Sequence, residues 1–145
     1  MGYNVISMKI KQISVFLEDS IKSLGDLAKL AAREGINVKA ISFTESKDIS
    51  ILRLIVNNHE KAIKVFNDAN FTTRVSDVAA VEINDTPGGF AGIMELFEKT
   101  GVAVENLYTA CLNREGKAIL IFKLRNHQEG LKILRENGLS LIENI

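Results

Sequence analysis

The chain has 145 residues, of which 46% are hydrophobic and 25% are charged, as in an ordinary soluble globular protein. Its 18 basic and 18 acidic residues balance, which argues against a nucleic-acid binder, because such proteins cluster Lys and Arg against phosphates. The single cysteine, Cys111, cannot form an internal disulfide and suits a reducing compartment, so we expect a cytoplasmic protein. No apolar run approaches the roughly 18 residues of a membrane span, and Met1–Ser7 lacks the pattern of a signal peptide.

In the first half of the chain, alternating apolar residues predict a strand over Lys9–Leu17. Apolar residues then recur at helical spacing over Leu24–Ala31, and Gly35 is expected to end that helix. Two further strands are predicted over Val38–Thr44 and Ser50–Val56. The second of these is so rich in apolar residues that we expect it to lie inside its sheet.

A second helix is predicted to begin after Asn58, because Asn is a favourable N-cap and Glu60 adds an acidic side chain to the first turn. A short strand over Thr72–Val75 is expected to close this half of the chain. The residues expected to point inward from the second helix are Ala62, Ile63, Phe66 and Ala69.

The second half repeats the first at a spacing of about 66 to 68 residues, which suits two copies of a small domain better than a solenoid repeat of roughly 20 to 50 residues. The order β-α-β-β-α-β in each copy predicts an α+β fold, in which a four-stranded antiparallel sheet carries two helices on one face, the ferredoxin-like arrangement. We expect one domain over residues 9–77 and a second over 78–145. The elements predicted in the second copy are strand Val78–Ile83, helix Phe90–Lys99, strand Val104–Leu112, turn Asn113–Gly116, strand Lys117–Leu124, helix His127–Asn137 and strand Ser140–Glu143.

The loop Asp85-Thr86-Pro87-Gly88-Gly89 joins the first strand of copy two to its first helix and holds the only proline of the sequence. Its glycines allow a ligand or another backbone to approach closely, and the helix that follows offers N–H groups and a partial positive charge. Together these features suit a carboxylate, and Asp85 suits an ammonium group. A tight strand-to-helix turn without any ligand explains the same residues.

With its two βαββαβ copies, its Asp-x-Pro-Gly-Gly-Phe loop and its Gly-Ile-Asn or Gly-Val turn into the second strand, the chain resembles the ACT domain family over roughly residues 9 to 144. It is most similar to free-standing tandem ACT proteins. The resemblance implies a regulatory protein rather than an enzyme, which binds a free amino acid between two ACT domains. It also implies a homodimer and a separate metabolic enzyme as the regulated partner. No cofactor, metal, nucleic acid or membrane is expected.

In the family pattern, one domain supplies the loop after its first strand, and the other supplies an Asn at the start of its second strand. That Asn position falls on Asn37 in copy one and on Ala103 in copy two, while copy two keeps the Pro-Gly pair that copy one has lost. The resemblance therefore implies a better site that joins Asn37 to the copy-two loop. The opposite combination, the copy-one loop with Ala103, is expected to be weaker or to have another selectivity. The loop residues are Asp85, Thr86, Pro87, Gly88, Gly89 and Phe90 in copy two and Asp19, Ser20, Ile21 and Leu24 in copy one. An Asn37 that only caps the entry to its strand is the alternative.

His59 and His127 occupy equivalent positions after an Asn at a helix start, so each is expected to have a local role in its own copy rather than a catalytic one. No Cys, Asp or Glu with metal-ligand spacing accompanies them. Cys111 is expected to be a buried strand residue rather than a nucleophile. Phe90 and Phe97 stand seven residues apart on one helix face and are expected to be core residues.

RNA-recognition modules share this order of elements and are a rival interpretation. Their third strand reads Lys/Arg-Gly-Phe/Tyr-Gly/Ala-Phe-Val-x-Phe/Tyr, which neither Ile49–Val56 nor Lys117–Leu124 matches. A protein that binds a partner through its sheets and keeps only a vestigial pocket is the main alternative to amino-acid binding. An enzyme of unrecognised type is a weaker alternative.

Overall fold

The computed structural model describes residues 10–18, 20–111, 114–143 and 145, and for Ser20 the backbone alone. The chain divides into two compact units. Lys11–Ser76 forms the first domain, and Asp77–Ile145 forms the second domain, to which Ile10 also belongs. Some residues named in the predictions lie outside the described part, namely Met1–Ser7, Lys9, Asp19, Leu112 and Asn113.

The first domain is built on one four-stranded sheet. Its elements are β1 (Lys11–Leu17), α1 (Ser20–Arg33), β2 (Val38–Glu45), β3 (Ser50–Val56), α2 (His59–Asp68) and β4 (Thr72–Asp77). The strand order is β2-β3-β1-β4, so the apolar β3 lies inside the sheet, as predicted. In this register Leu52 of β3 stands between Val15 of β1 and Phe43 of β2.

The second domain repeats this arrangement. Its elements are β5 (Ala79–Asn84), α3 (Gly89–Thr100), β6 (Val104–Thr109), β7 (Lys117–Leu124), α4 (His127–Glu136) and β8 (Ser140–Ile142). The strand order β6-β7-β5-β8 places each strand where its counterpart lies in the first domain. Even the irregularity after Val38 in β2 recurs after Val104 in β6. The predicted α+β, ferredoxin-like fold is confirmed in both copies.

Each domain has its own hydrophobic core, formed by the two helices and one face of the sheet. In the first domain, Leu27 of α1 and Phe66 of α2 belong to the same buried cluster as Leu52. In the second domain, the rings of Phe97 on α3 and Phe122 on β7 meet edge to face, with centroids 5.0 Å apart. The helical spacing of Leu27 and Phe97 and the strand alternation around Leu52 and Phe122 therefore mark the core, as binary patterning requires.

Three residues that were predicted to be buried are exposed. Ala69 comes after the last residue of α2, so it lies past the packed face of that helix. Phe90 is 50% exposed, whereas Phe97 is 6% exposed, because Phe90 lies in the first turn of α3, about 10 Å along the helix axis from Phe97. Cys111 is exposed, because β6 ends at Thr109 and Cys111 follows the strand instead of belonging to it.

The predicted N-cap Asn58 is confirmed, since its Oδ1 accepts a hydrogen bond of 3.1 Å from the backbone N–H of Lys61. We expect Asn58→Ala to lower the free energy of unfolding by about 1 kcal/mol, because the first turn loses the acceptor for one of its N–H groups. Asn58→Ser keeps an acceptor and should recover most of this loss in a urea titration followed by circular dichroism. Equal losses in the two variants would contradict the capping role.

Candidate functional site

The loop between β5 and α3 is held by backbone hydrogen bonds. The N–H of Asp85 donates to the carbonyl of Gly116 at 3.0 Å, and the N–H of Gly89 donates to the carbonyl of Thr86 at 3.0 Å. Gly88 is the N-cap residue of α3 and has a left-handed φ of 93°, which glycine adopts without strain. Gly88 supplies no side-chain cap to this helix, so the first-turn N–H groups that follow Gly89 are suited to an anion.

Two glycines of α3 determine how closely other groups approach the loop. A Cβ at Gly89 would collide with the backbone carbonyl oxygen of Asn84, so only glycine fits where the helix start meets the end of β5. A Cβ at Gly92, in contrast, would have no described atom within 4 Å. Gly89 therefore allows the start of α3 to lie close to the end of β5, whereas the absence of a side chain at Gly92 leaves open space beside α3.

A cavity of about 350 Å³ lies beside this loop, inside the second domain. Its size falls in the range of roughly 300 to 1,000 Å³ that is usual for small-molecule sites. The lining residues are Glu82, Ile83, Asn84, Gly89, Gly92, Ile93, Lys117, Leu139 and Ser140. Apolar, polar and charged groups thus border one space large enough for a small organic molecule.

Residues of both charges line this cavity, namely Lys117 and Glu82. Lys117 Nζ donates to Asn84 Oδ1 at 2.6 Å, and Glu82 Oε2 lies 2.8 Å from Arg114 Nη1. The pair of Glu82 and Arg114 is partly exposed to water, so it contributes little to stability and leaves Glu82 able to accept a further donor. Lys117 and the start of α3 are suited to a carboxylate, and Glu82 is suited to an ammonium group.

The structure brings only one of the six predicted copy-two residues into the cavity lining, and that residue is Gly89. Asp85, Thr86 and Pro87 lie in the exposed loop next to it. Phe90 was predicted to belong to the core, but half of its side chain is exposed at the start of α3. Its exposed ring is therefore accessible to a ligand rather than committed to packing.

Sequence reasoning missed Gly92, Lys117 and Glu82. A glycine within a helix carries a signal, because it weakens the helix and needs another reason to be there. Lys117 and Glu82 carry no such signal, since the antiparallel pairing of β5 with β7 sets Asn84 directly opposite Lys117. The register of β5 with β7 brings Lys117 to the loop, whereas Glu82 lies within β5 and Gly92 within α3.

A family model described as an ACT domain pair matches residues 8–145. The chain belongs to the ACT domain family. The match covers both domains of this ACT protein, so the resemblance that the loop and the repeat indicated is confirmed.

Solved structures include close counterparts of this ACT pair. A protein of Bacteroides thetaiotaomicron is 28% identical and superposes with a TM-score of 0.85 over 92% of each chain. The regulatory subunits of aspartate kinase from Thermus thermophilus and Thermus flavus are each 16% identical, with TM-scores of 0.64 and 0.62, over 90% of this chain and 93% of theirs. At this identity, the likeness to the two regulatory subunits shows the fold alone. No curated protein matches the chain.

The first ACT domain has a cavity of about 480 Å³ at the equivalent end of its sheet, but its chemistry differs. Phe16 occupies the β1 position that corresponds to Glu82 in β5, and Arg74 lies over its ring with Cζ 5.8 Å from the centroid. Among the predicted copy-one loop residues whose side chains are described, Ile21 and Leu24 do not line this cavity. Ile21 is 82% exposed, and Leu24 packs against the core.

Asn37 of the first ACT domain does not cap its own strand with its side chain. Its N–H donates to Asn57 Oδ1 at 3.0 Å, and its carbonyl accepts from the N–H of Asn57 at 3.1 Å. The side chain of Asn57 therefore holds the strand entry. Asn37 is exposed, and no hydrogen bond joins its side-chain amide to a described residue, so this amide is accessible for binding.

The described residues of the ACT pair contain no group of three or more His, Cys, Asp and Glu that could hold a metal ion. His59 and His127 each follow an N-cap Asn as the first residue of a helix. None of the helices in the described part of the chain is long and apolar enough to cross a membrane.

Proposed function

We propose that this ACT protein is a regulatory protein that binds a free amino acid at the cavity beside the Asp85–Phe90 loop. The observation that carries the proposal is a cavity of about 350 Å³ bordered by a helix start that no described side chain caps, by a lysine and by a glutamate. An α-amino acid carries a carboxylate, an ammonium and a side chain on one carbon. The groups around the cavity match all three.

Each part of the amino acid has a partner in this proposal. The first-turn N–H groups of α3 and the ammonium of Lys117 bind the carboxylate, because both carry positive charge. The carboxylate of Glu82 binds the ammonium. The ligand side chain packs against the apolar part of the lining, which consists of Ile83, Ile93 and Leu139.

We also propose that the side-chain amide of Asn37 binds the ligand, as the group that a second ACT domain supplies in the family pattern. Its exposed and accessible side chain supports this role. We further propose that the copy-two loop with Asn37 makes the better site, and that the copy-one loop from Asp19 to Leu24 makes a weaker one. At the better site, the negative charge of Asp85 attracts the ligand ammonium.

A thermal-shift screen of the twenty amino acids tests the proposed function. A ligand at 100 times its dissociation constant should add about 2.7 kcal/mol to the free energy of unfolding, which is readily seen as a rise in melting temperature. If no amino acid stabilises the protein, the proposal is wrong, and the alternative of a partner-binding protein with a vestigial pocket is favoured.

Matched variants locate the site once a ligand is found. Gly92→Leu should fill the cavity and abolish binding, whereas Ala91→Leu adds a similar side chain at an exposed position of the same helix and should leave binding unchanged.

In titration calorimetry, Asp85→Ala and Asn37→Ala should each weaken binding by about tenfold, the loss of one charge-assisted contact. Parent-like binding by both of these variants would show that the residue assignment is wrong.

Regulation requires that the ligand has different affinities for two arrangements of the protein. We propose that the protein acts as a homodimer on a separate metabolic enzyme, because β2 and β6 end their sheets and edge strands need a partner or protection. Light scattering with and without the identified amino acid measures the assembly. A monomer at every concentration, with and without ligand, would contradict the dimer.

A further inference from the structure

A second cavity lies in another part of the second domain, where α3 ends and α4 begins. It has a volume of about 220 Å³ and shares no lining residue with the cavity beside the Asp85–Phe90 loop. Its polar and small lining residues include Thr100, Gly101, Ala103, Arg125, Glu129 and Gly130. We call it the corner cavity.

The corresponding corner of the first domain is closed by side chains of the protein itself. Lys61 Nζ donates to the carbonyl of Glu34 at 2.6 Å, and Asn57 Nδ2 donates to the carbonyl of Gly35 at 3.3 Å. Both carbonyls lie directly after the last residue of α1. Since the carboxyl end of a helix carries partial negative charge, the Lys61 ammonium is bound there as a cation on a helix end.

In the second domain, the residue equivalent to Lys61 is Glu129. The equivalence rests on the N-caps, because the N–H of Lys61 donates to Asn58 Oδ1 and the N–H of Glu129 donates to Asn126 Oδ1. Position 129 therefore directs a carboxylate to the corner, where position 61 directs an ammonium. The end of α3 receives no ammonium from this position and instead borders a cavity.

Two further substitutions between the copies replace a larger side chain by a smaller one. Ala103 stands where the first domain has Asn37, and Gly130 stands where it has the buried Ala62. A Cβ at Gly130 would lie 2.5 Å from Cδ1 of Leu124, so glycine lets Leu124 pack directly against α4. The space that Gly130 leaves is thus taken by Leu124, whereas Ala103 lacks the side-chain amide that Asn37 has at this position in the first domain.

The lining carries one positive and one negative side chain. Arg125 forms no ion pair with any described residue, and it occupies the position of Asn57 in the first domain. Glu129 Oε2 accepts a hydrogen bond of 2.9 Å from Asn126 Nδ2, while Oε1 remains for another donor. A small cavity with one uncompensated cation and one carboxylate is complementary to a molecule that carries both charges.

We propose that the corner cavity is a second binding site, which takes a small molecule with a primary ammonium and a carboxylate. The ligand ammonium lies between Glu129 and the end of α3, where it replaces the ammonium that Lys61 supplies in the first domain. The ligand carboxylate binds Arg125. The volume suits a small amino acid such as glycine, alanine or serine. This site does not depend on the loop site, since Arg125, Glu129 and Gly130 belong to no part of it.

The test is a titration of the isotope-labelled full chain, followed by the backbone amide signals in NMR spectra. Glycine, L-alanine and L-serine are the probes, with methylammonium and acetate as probes of each single charge. We expect the amides of Gly101, Ala103, Glu129 and Gly130 to shift with at least one of the three amino acids. Methylammonium and acetate should each bind at least about tenfold more weakly, because each loses one charged contact.

Glu129→Lys places a lysine in the corner, as Lys61 is placed in the first domain, and should weaken binding by at least about tenfold. Glu136→Lys makes the same charge change at an exposed position of α4 outside the corner cavity and should bind like the parent. Arg125→Asn also copies the first domain and should weaken the binding of the amino acids without affecting methylammonium, which provides a second readout if Glu129→Lys does not fold.

Two results would overturn the proposal: no shift of the corner amides with millimolar probe, or parent-like binding by Glu129→Lys and Arg125→Asn. Shifts confined to Asp85–Gly89 that Gly92→Leu removes would support the loop site and reject the corner site. Corner shifts that persist in Gly92→Leu would support the corner site even where the loop site fails. The two proposals therefore fail separately.

Discussion

Phe122→Ala is expected to lower the free energy of unfolding by about 3 to 5 kcal/mol, the usual loss for truncation of a buried aromatic residue. Phe122 lies in β7, is 0% exposed and meets the ring of Phe97 edge to face at 5.0 Å. Its removal leaves a cavity at the centre of the second core and also loses the aromatic pair. Urea unfolding followed by circular dichroism measures the change, since the chain has no tryptophan to report by fluorescence.

The exposed Phe90 is the matched control for this prediction. Its side chain is 50% exposed, so Phe90→Ala should cost well under the core value, about 1 kcal/mol or less. If Phe90→Ala destabilises the protein as much as Phe122→Ala does, then Phe90 is a core residue after all. A small loss in stability with a clear loss of amino-acid binding would support its place at the proposed loop site.

Gly89→Ala is expected to destabilise the second domain by about 2 to 3 kcal/mol, in the range found for overpacked positions. The added Cβ meets the backbone carbonyl oxygen of Asn84, which cannot rotate away as a side chain can. The start of α3 must therefore move relative to the end of β5. Because Gly89 and Asn84 both line the cavity beside the Asp85–Phe90 loop, ligand binding should be lost together with stability.

Gly92→Ala makes the same chemical change three residues later in the same helix, and it should have the opposite sign. A Cβ at Gly92 meets no described atom within 4 Å, so alanine should stabilise α3 by about 0.5 to 1 kcal/mol through its better helix propensity. Thermal and urea unfolding of the two variants make the comparison. If both variants lose a similar amount of unfolding free energy, then the close approach of the Asn84 carbonyl is not what requires glycine at position 89.

The fold was predictable because its signals are local and are repeated. Apolar spacing marked the helices, alternation marked the strands, and Asn58 marked a helix start that the hydrogen bond to Lys61 confirms. Errors arose where an element ended one to three residues before its expected limit. Cys111 was assigned to a strand that stops at Thr109, and Ala69 to a helix that stops at Asp68.

The candidate site was predictable only in part. The Pro-Gly-Gly sequence located the loop, since glycine and proline restrict the backbone in recognisable ways. It did not reveal Lys117, which reaches the loop through the register of β7 with β5, or Glu82, which lies within β5 itself. Nor could it distinguish the roles of Asn37 and Asn57, because two asparagines near strand ends look alike until their hydrogen bonds are known.

The sequence by itself determined that the chain is a pair of ferredoxin-like domains, because hydrophobic period, caps and turn residues act over a few neighbouring positions and each copy repeats them. Only the tertiary structure decided which residues surround empty space. A cavity is a property of side chains from several elements at once, and the absence of a side chain, at Gly92 or at Gly130, has an effect only against particular neighbours. For the same reason, one corner is closed by the Lys61 ammonium while the corner at Glu129 is open.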